Sequence, residues 1–254
     1  MLKNLLVAGW LVLASQLAAA ESWRVASLEW PPFTGGNLPE GGAGIAVLRA
    51  ALKVEGIALQ VDYFPWARAV LNSRNAIYAG LYPAWPEDVP DGFIPSVPIF
   101  KSPVGLVEPV AKPIPWASLD DLSGYSIGTV QGYGNTPEFM SLIQSGEIKT
   151  EIVDSDLTNV RKVAAGRIDA AFIDLNNLAY LLEHEARGIA HKVQANKKPI
   201  DNKLLLLAIN NKFDNPRASE ILKRGLSKIN PNKIIQDYLK RYSIAQYEAP
   251  KSER

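Results

Sequence analysis

Cysteine is absent from this 254-residue chain, so disulfides, thiolate nucleophiles and Cys-based metal sites are excluded, and the core rests on apolar burial alone. Histidine is scarce. His184 and His191 fit no H-x-x-x-H metal spacing, no Ser-His-Asp arrangement can be placed around them, and a phosphate-loop lysine motif is also missing. An excess of either charge is lacking too: 27 Lys and Arg stand against 26 Asp and Glu, without the basic clustering that nucleic acid requires. Beyond Ala20 no apolar run approaches the ~20 residues of a membrane span.

What is present begins with an export signal. Met1-Leu2-Lys3 is a short positive start, Leu5 to Ala14 is almost unbroken apolar, and Leu17-Ala18-Ala19-Ala20 supplies the small residues of a cleavage site before Glu21. Residues 1–20 are therefore expected to be a signal peptide, and the lack of a nearby cysteine excludes a lipid-anchored form. Removing Lys3 leaves the chain formally neutral. A neutral, cysteine-free, exported protein of this size suits a Gram-negative periplasm better than the small disulfide scaffolds of other secreted proteins. A soluble monomer is expected there.

Along the chain the periodicity alternates. Trp23 to Leu28 reads as a strand that Pro31-Pro32 must end. Ile45 to Leu52 carries apolar residues at helical spacing, Ala58 to Phe64 alternates as a strand, Pro65 opens a second helix, and Ile77 to Leu81 is a buried strand. That order is α/β with a sheet covered on both faces. Prolines then crowd the stretch from Pro83 to Pro115, with Val104 to Val107 as the strand between them. The pattern restarts with strands over 126–130, 149–153 and 169–173 and helices over 137–143, 157–165 and 176–185. Leu204 to Ile209 is again a strand, and helices follow over 216–229 and 232–242. The reading is two α/β lobes joined by a two-strand hinge: 21–108 opens lobe 1, 109–198 forms lobe 2, 199–246 returns to complete lobe 1, and 247–254 is a polar tail.

Open α/β sheets bind ligands beyond the carboxyl ends of their strands, and two facing lobes would bring two such edges together. The loops at those ends carry Glu29, Trp30 and Phe33; Tyr82 and Trp85; Gln131, Tyr133 and Gly134; and Asp174. Aromatic platforms, amide donors and one or two carboxylates suit a small polar solute. Each residue also has a plainer role: Trp30 can plug its lobe, and Asp174 can cap the helix that follows it, a task compatible with ligand contact. The Gln131-Gly132-Tyr133-Gly134 turn offers backbone N–H groups to an anion. Trp66 and Arg68 open a helix, where Arg68 either clamps a carboxylate bidentately or faces solvent. Glu29 and Asp174 facing each other would make an acid–base pair, and with it an enzyme.

These residues resemble those of the bacterial extracellular solute-binding protein family 3, the polar amino-acid receptors of ABC importers, over essentially the whole mature length. Trp30-Pro31-Pro32-Phe33 is similar to the family's Tyr-x-Pro-Phe stretch, and Pro65-Trp66-Ala67-Arg68-Ala69 to the segment supplying a second ring. Leu119 to Gly128 resembles the run opening the second lobe, and Gln131-Gly132-Tyr133-Gly134 the ligand-binding turn. Ala165-Gly166-Arg167-Ile168-Asp169-Ala170-Ala171-Phe172-Ile173-Asp174 is the most specific likeness, with Asp174 where the family grips an α-amino group. The resemblance implies a type II periplasmic-binding-protein-like fold, a small polar, amino-acid-like ligand, a separate ABC permease and ATPase in the inner membrane, and no cofactor or metal. One departure stands out. The family's Thr-x-x-Arg carboxylate clamp is replaced by Ala84-Trp85-Pro86-Glu87-Asp88-Val89-Pro90-Asp91, with no arginine before Lys101. Periplasmic enzymes such as cyclohexadienyl dehydratases, and sensory receptors, share the same module.

Overall fold

A computed structural model describes residues 21–248; the expected signal peptide and most of the polar tail lie outside the described residues. The first strand, β1 (Ser22–Ser27), is followed by helix α1 (Ala43–Lys53), β2 (Ala58–Tyr63), α2 (Trp66–Ser73) and β3 (Gly80–Ala84). Two strands follow in the proline-rich stretch: β4 (Phe93–Pro95) and the long β5 (Phe100–Pro109). Then come β6 (Ser126–Val130), α3 (Pro137–Gln144), β7 (Lys149–Val153), α4 (Asp156–Ala164), β8 (Ala170–Asp174) and α5 (Leu175–His184). The chain ends through β9 (Val193–Ala195), β10 (Asp201–Asn210), α6 (Ala218–Ser227) and α7 (Pro231–Arg241).

The strands follow the order β2-β1-β3-β10-β5-β8-β6-β7, with β4 on β10 and β9 on β5. The order divides at its middle into two parallel groups. β1 pairs parallel with β2 and β3, and β6 pairs parallel with β7 and β8. Among the described strands, β5 and β10 pass between them. Residues 201–205 of β10 pair antiparallel with β5, and 206–210 pair with β3 and β4. β5 likewise pairs with β10 over 100–104 and with β8 over 104–107. Every helical crossover between parallel strands covers a sheet face, as such sheets require.

Two of the boundaries that differ from the sequence expectation have a local cause. The strand expected at Ile77 to Leu81 begins three residues later, because Asn75 accepts from the Ile77 amide and Ile77 stays 55% exposed in that turn. β5 extends well beyond Val104 to Val107 and contains Pro103, which needs no N–H where β5 meets β10. Period-two alternation is clearest in β8: Ala170 and Phe172 join the core cluster shared with the first group, whereas Ala171 and Ile173 pack with Val160, Leu178 and Leu181 on the other face. No helix among the described residues is long and apolar enough to cross a membrane.

Candidate functional site

The carboxyl ends of β1, β3, β6, β7 and β8 converge on two adjoining hollows. The inner chamber, of about 40 Å³, is walled by Trp30, Trp66, Trp85, Tyr133 and Phe172 and also by Asp88, Asp156 and Asp174. One water needs roughly 10–15 Å³ of such space, so the chamber holds a few waters or one small headgroup. A wider outer cleft of about 600 Å³ is lined by Glu29, Asp154, Asn177 and Glu185 among others. Leu28, Trp66, Tyr133 and Asp156 line both hollows and form the partition between them.

Contacts join the two parallel groups beside these hollows. Trp66 sits in the first turn of α2, where burial of Trp66, Ala69 and Ser73 at helical spacing fixes its face. Its Nε1–H donates to the Gly132 carbonyl at 2.6 Å, and its ring meets Tyr133 edge-on at 6.1 Å. Asn177 Nδ2 donates to the Pro31 carbonyl at 2.5 Å, and Trp85 meets Phe172 edge-on at 6.1 Å. Trp66→Phe keeps a ring but removes the Gly132 hydrogen bond, which should weaken closure by about 1 kcal/mol. Ligand affinity is then expected to fall about fivefold, with a larger radius of gyration in X-ray scattering of the ligand-bound state. An unchanged affinity and radius would show that this bond does not hold the cleft closed.

The three inner carboxylates come from different elements. Asp174 is the N-cap of α5, and its Oδ1 accepts from the amides of Asn176 and Asn177, both at 2.9 Å. Its Oδ2 is buried without a hydrogen-bond partner, and the residue is 3% exposed. Asp156 is the first residue of α4, where helix N-termini favour negative charge. Asp88 ends the 3-10 turn after β3 and lies so close to Gly134 that a Cβ there would stand 2.0 Å from its Oδ1.

Burial disfavours ionisation of all three. The Asp174 carboxyl is pushed up to about 7 by burial, against the nearby Ser102 hydroxyl and the Asn177 and Asn176 amides. Asp156 is pushed up to about 7 by burial and then by the charge of Asp174, with the Tyr133 hydroxyl opposing. Asp88 is also pushed up to about 7, by burial and then by Glu87, with Lys203 and the Gly134 amide opposing. Lys203 is itself taken: its Nζ lies 2.8 Å from Glu87 Oε1. Burial first, and then the charges of Asp156, Asp88 and Asp174, hold the Tyr133 phenol well above its ordinary value. Among the described residues, no group of three or more His, Cys, Asp and Glu side chains is placed to hold a metal ion.

The residues singled out from the sequence scatter. Trp30, Trp85 and Asp174 line the inner chamber, and Trp66 and Tyr133 line both hollows. Glu29 is on the outer cleft only, where its Oε1 accepts from the Gly36 amide. Gly134 backs Asp88. Phe33, Tyr82, Arg68 and Gln131 line neither hollow. Phe33 folds under Trp30 and stacks on Phe100 at 4.8 Å, and the buried Tyr82 hydroxyl donates to the Gly44 carbonyl at 3.0 Å. Arg68 is exposed on the outer face of α2, and the Gln131 side chain is exposed beside the ladder. Glu29 and Asp174 therefore share no chamber in which to act as an acid–base pair.

Sequence reasoning missed Asp156, Asp88 and Phe172 as cavity residues. Asp156 follows the end of β7, so the strand-end rule that led to the other four loops would have found it. The Gly134 amide, offered by the sequence as part of an anion nest, already faces the carboxylate of Asp88.

No family model and no curated protein matches the sequence. Solved structures do match in shape. The GluR0 ligand-binding core from Nostoc punctiforme, in complex with L-glutamate, is 18% identical with a TM-score of 0.67, covering 88% of this chain and 100% of its own. A Streptococcus pneumoniae amino acid ABC transporter substrate-binding protein bound to L-arginine is 15% identical with a TM-score of 0.69, covering 89% of this chain and 97% of its own. A histidine kinase sensor domain with similarity to periplasmic binding proteins is 16% identical with a TM-score of 0.73, covering 90% and 98%. The chain thus has the bilobed α/β fold of the periplasmic binding proteins, with a curled sheet of the type II kind.

Proposed function

We propose that the chain is an extracytoplasmic receptor that closes over a small organic cation. The observation that carries this is the sign of the cleft. Its lining holds six carboxylates, Glu29, Asp88, Asp154, Asp156, Asp174 and Glu185, and no Lys or Arg among the described residues. The whole chain is nearly balanced, 27 basic against 26 acidic residues, so the bias belongs to the cleft. Aromatic faces beside those carboxylates add attraction for a desolvated cation, and the unpartnered Asp174 Oδ2 needs a donor.

The same lining argues against an α-amino acid. Arg68 is outside the cleft, and the Gly134 amide already faces Asp88, so no basic side chain in the lining is placed to clamp a carboxylate. Lobe 1 comprises residues 21–108 and 199–246 and lobe 2 residues 109–198, closing about β5 and β10, with ligand stabilising the closed form. Binding, without turnover, is the role, and delivery to an ABC permease and ATPase is the leading assignment. Sensing is the second reading, favoured by the likeness to a histidine kinase sensor domain over 90% of the chain. A thermal-shift screen of the mature chain at pH 8 against amines, amino acids, organic acids and sugars tests the cation class. Stabilisation confined to cations is expected; stabilisation by acids or sugars alone would contradict it.

A further inference from the structure

The partition between the two hollows bears on the number of charges the ligand carries, a matter that rests on the cation reading above. Acidic groups stand on both sides of it. Asp88 and Asp174 belong to the inner chamber, Asp154 and Glu185 to the outer cleft, and Asp156 to both. A single ammonium in a chamber of about 40 Å³ can accompany the acids of the inner lining, Asp156 among them, but does not reach Asp154 and Glu185, which line the outer cleft alone. Among the described residues no three acidic side chains are grouped as metal ligands. Positive charges spread along a chain fit the spread of the carboxylates.

The walls between those acids suit methylene groups. Leu28 and the rings of Trp66 and Tyr133 border both hollows, and they lie between the inner acids and the outer ones. The chemistry of the inner end is also restricted. Asp174 Oδ2 is buried without a partner, and a quaternary ammonium has no N–H to give it, whereas a primary ammonium has three.

We propose that the ligand is a dication, a short chain with a primary amine at each end. One ammonium sits in the inner chamber against Asp174 and Asp88. The methylenes run along Leu28 and the borders of the Trp66 and Tyr133 rings, and the second ammonium meets Asp156 and the acidic outer cleft.

Calorimetric titration of the mature chain at pH 8 tests this with three probe classes: α,ω-diamines of increasing length, n-alkylamines of matching length, and tetramethylammonium. The expected result is a diamine bound at least tenfold more tightly than the alkylamine of the same length, with tetramethylammonium weaker than both. Asp156→Asn should lower diamine affinity by a larger factor than alkylamine affinity. The wild-type comparison does not depend on that variant folding. Equal affinities for diamines and alkylamines would overturn the dication while leaving the cation receptor intact. Tight tetramethylammonium binding would overturn the N–H requirement. Binding of none of the amines, at any length, would overturn both this inference and the reading on which it rests.

Discussion

Asp174→Asn is expected to lower affinity for the cationic ligand by two to three orders of magnitude while leaving the unliganded protein as stable as before, or more so. Removing one partner of a buried charge pair costs about 3–5 kcal/mol, and each 1.4 kcal/mol is about tenfold in affinity. The ligand's ammonium would enter the inner chamber facing an amide in place of the carboxylate whose Oδ2 has no other partner. The fold should tolerate the change. Asn is as good an N-cap as Asp, and its side-chain oxygen can still accept from the Asn176 and Asn177 amides. It also removes a carboxylate whose ionisation burial opposes. Calorimetry and thermal denaturation at pH 8 together give the signature: binding lost, unfolding temperature unchanged or raised. Affinity within threefold of wild type would remove Asp174 from the site.

The second large effect is a pH dependence that runs in opposite directions for the free and liganded protein. Asp88, Asp156 and Asp174 are each pushed up to about 7, chiefly by burial. An unfolded aspartate titrates near 3.9, so the folded chain holds these protons more tightly. Their stabilising contribution is complete below about pH 4 and is lost as pH rises through about 7. Asp156 is coupled to Asp174, and the loss over the three carboxyls is on the order of several kcal/mol. The exposed carboxylates with lowered values, Asp121 for one, act in the opposite sense but contribute little in solvent.

A cation reverses the trend, because it binds the ionised forms. Its affinity should rise between pH 6 and 8, and binding should release protons, visible as a calorimetric enthalpy that changes with the buffer's ionisation enthalpy. Unliganded stability that climbs from pH 5 to 8, together with ligand affinity that is flat over the same range, would place these carboxylates outside the binding equilibrium.

Several residues lining the candidate site were legible in the sequence, and the omissions have physical causes. Asp174 stood out because a strand end followed by a helix start gives an Asp both a cap and a cleft position. Trp30, Trp66, Trp85 and Tyr133 stood out as large rings in turns or at a helix start. Tyr82 was misleading because β3 runs on to Ala84. Alternation along that extended stretch sends Tyr82 inward to the Gly44 carbonyl and sends Pro83 and Trp85 to the chamber. Phe33 was misleading for a different reason: the tight turn in which the Phe33 amide donates to the Trp30 carbonyl at 3.1 Å tucks its ring beneath Trp30. Phe172 looks like any core residue of a buried strand. Its cleft role exists only because Trp85 packs against it from the other parallel group. Asp88 is the residue no local pattern reveals, since its position depends on Gly134, far along the chain.

The preference for a cation without a carboxylate is tested most directly by calorimetry on matched pairs, an amino acid such as lysine or ornithine against the amine formed from it by decarboxylation. Each pair shares the side-chain ammonium and differs only in the carboxylate, which would meet a lining with six acids and no Lys or Arg among the described residues. The account predicts that the decarboxylated amine binds at least tenfold more tightly than its parent at pH 8. A parent amino acid that binds as tightly as the amine, or more tightly, would contradict it.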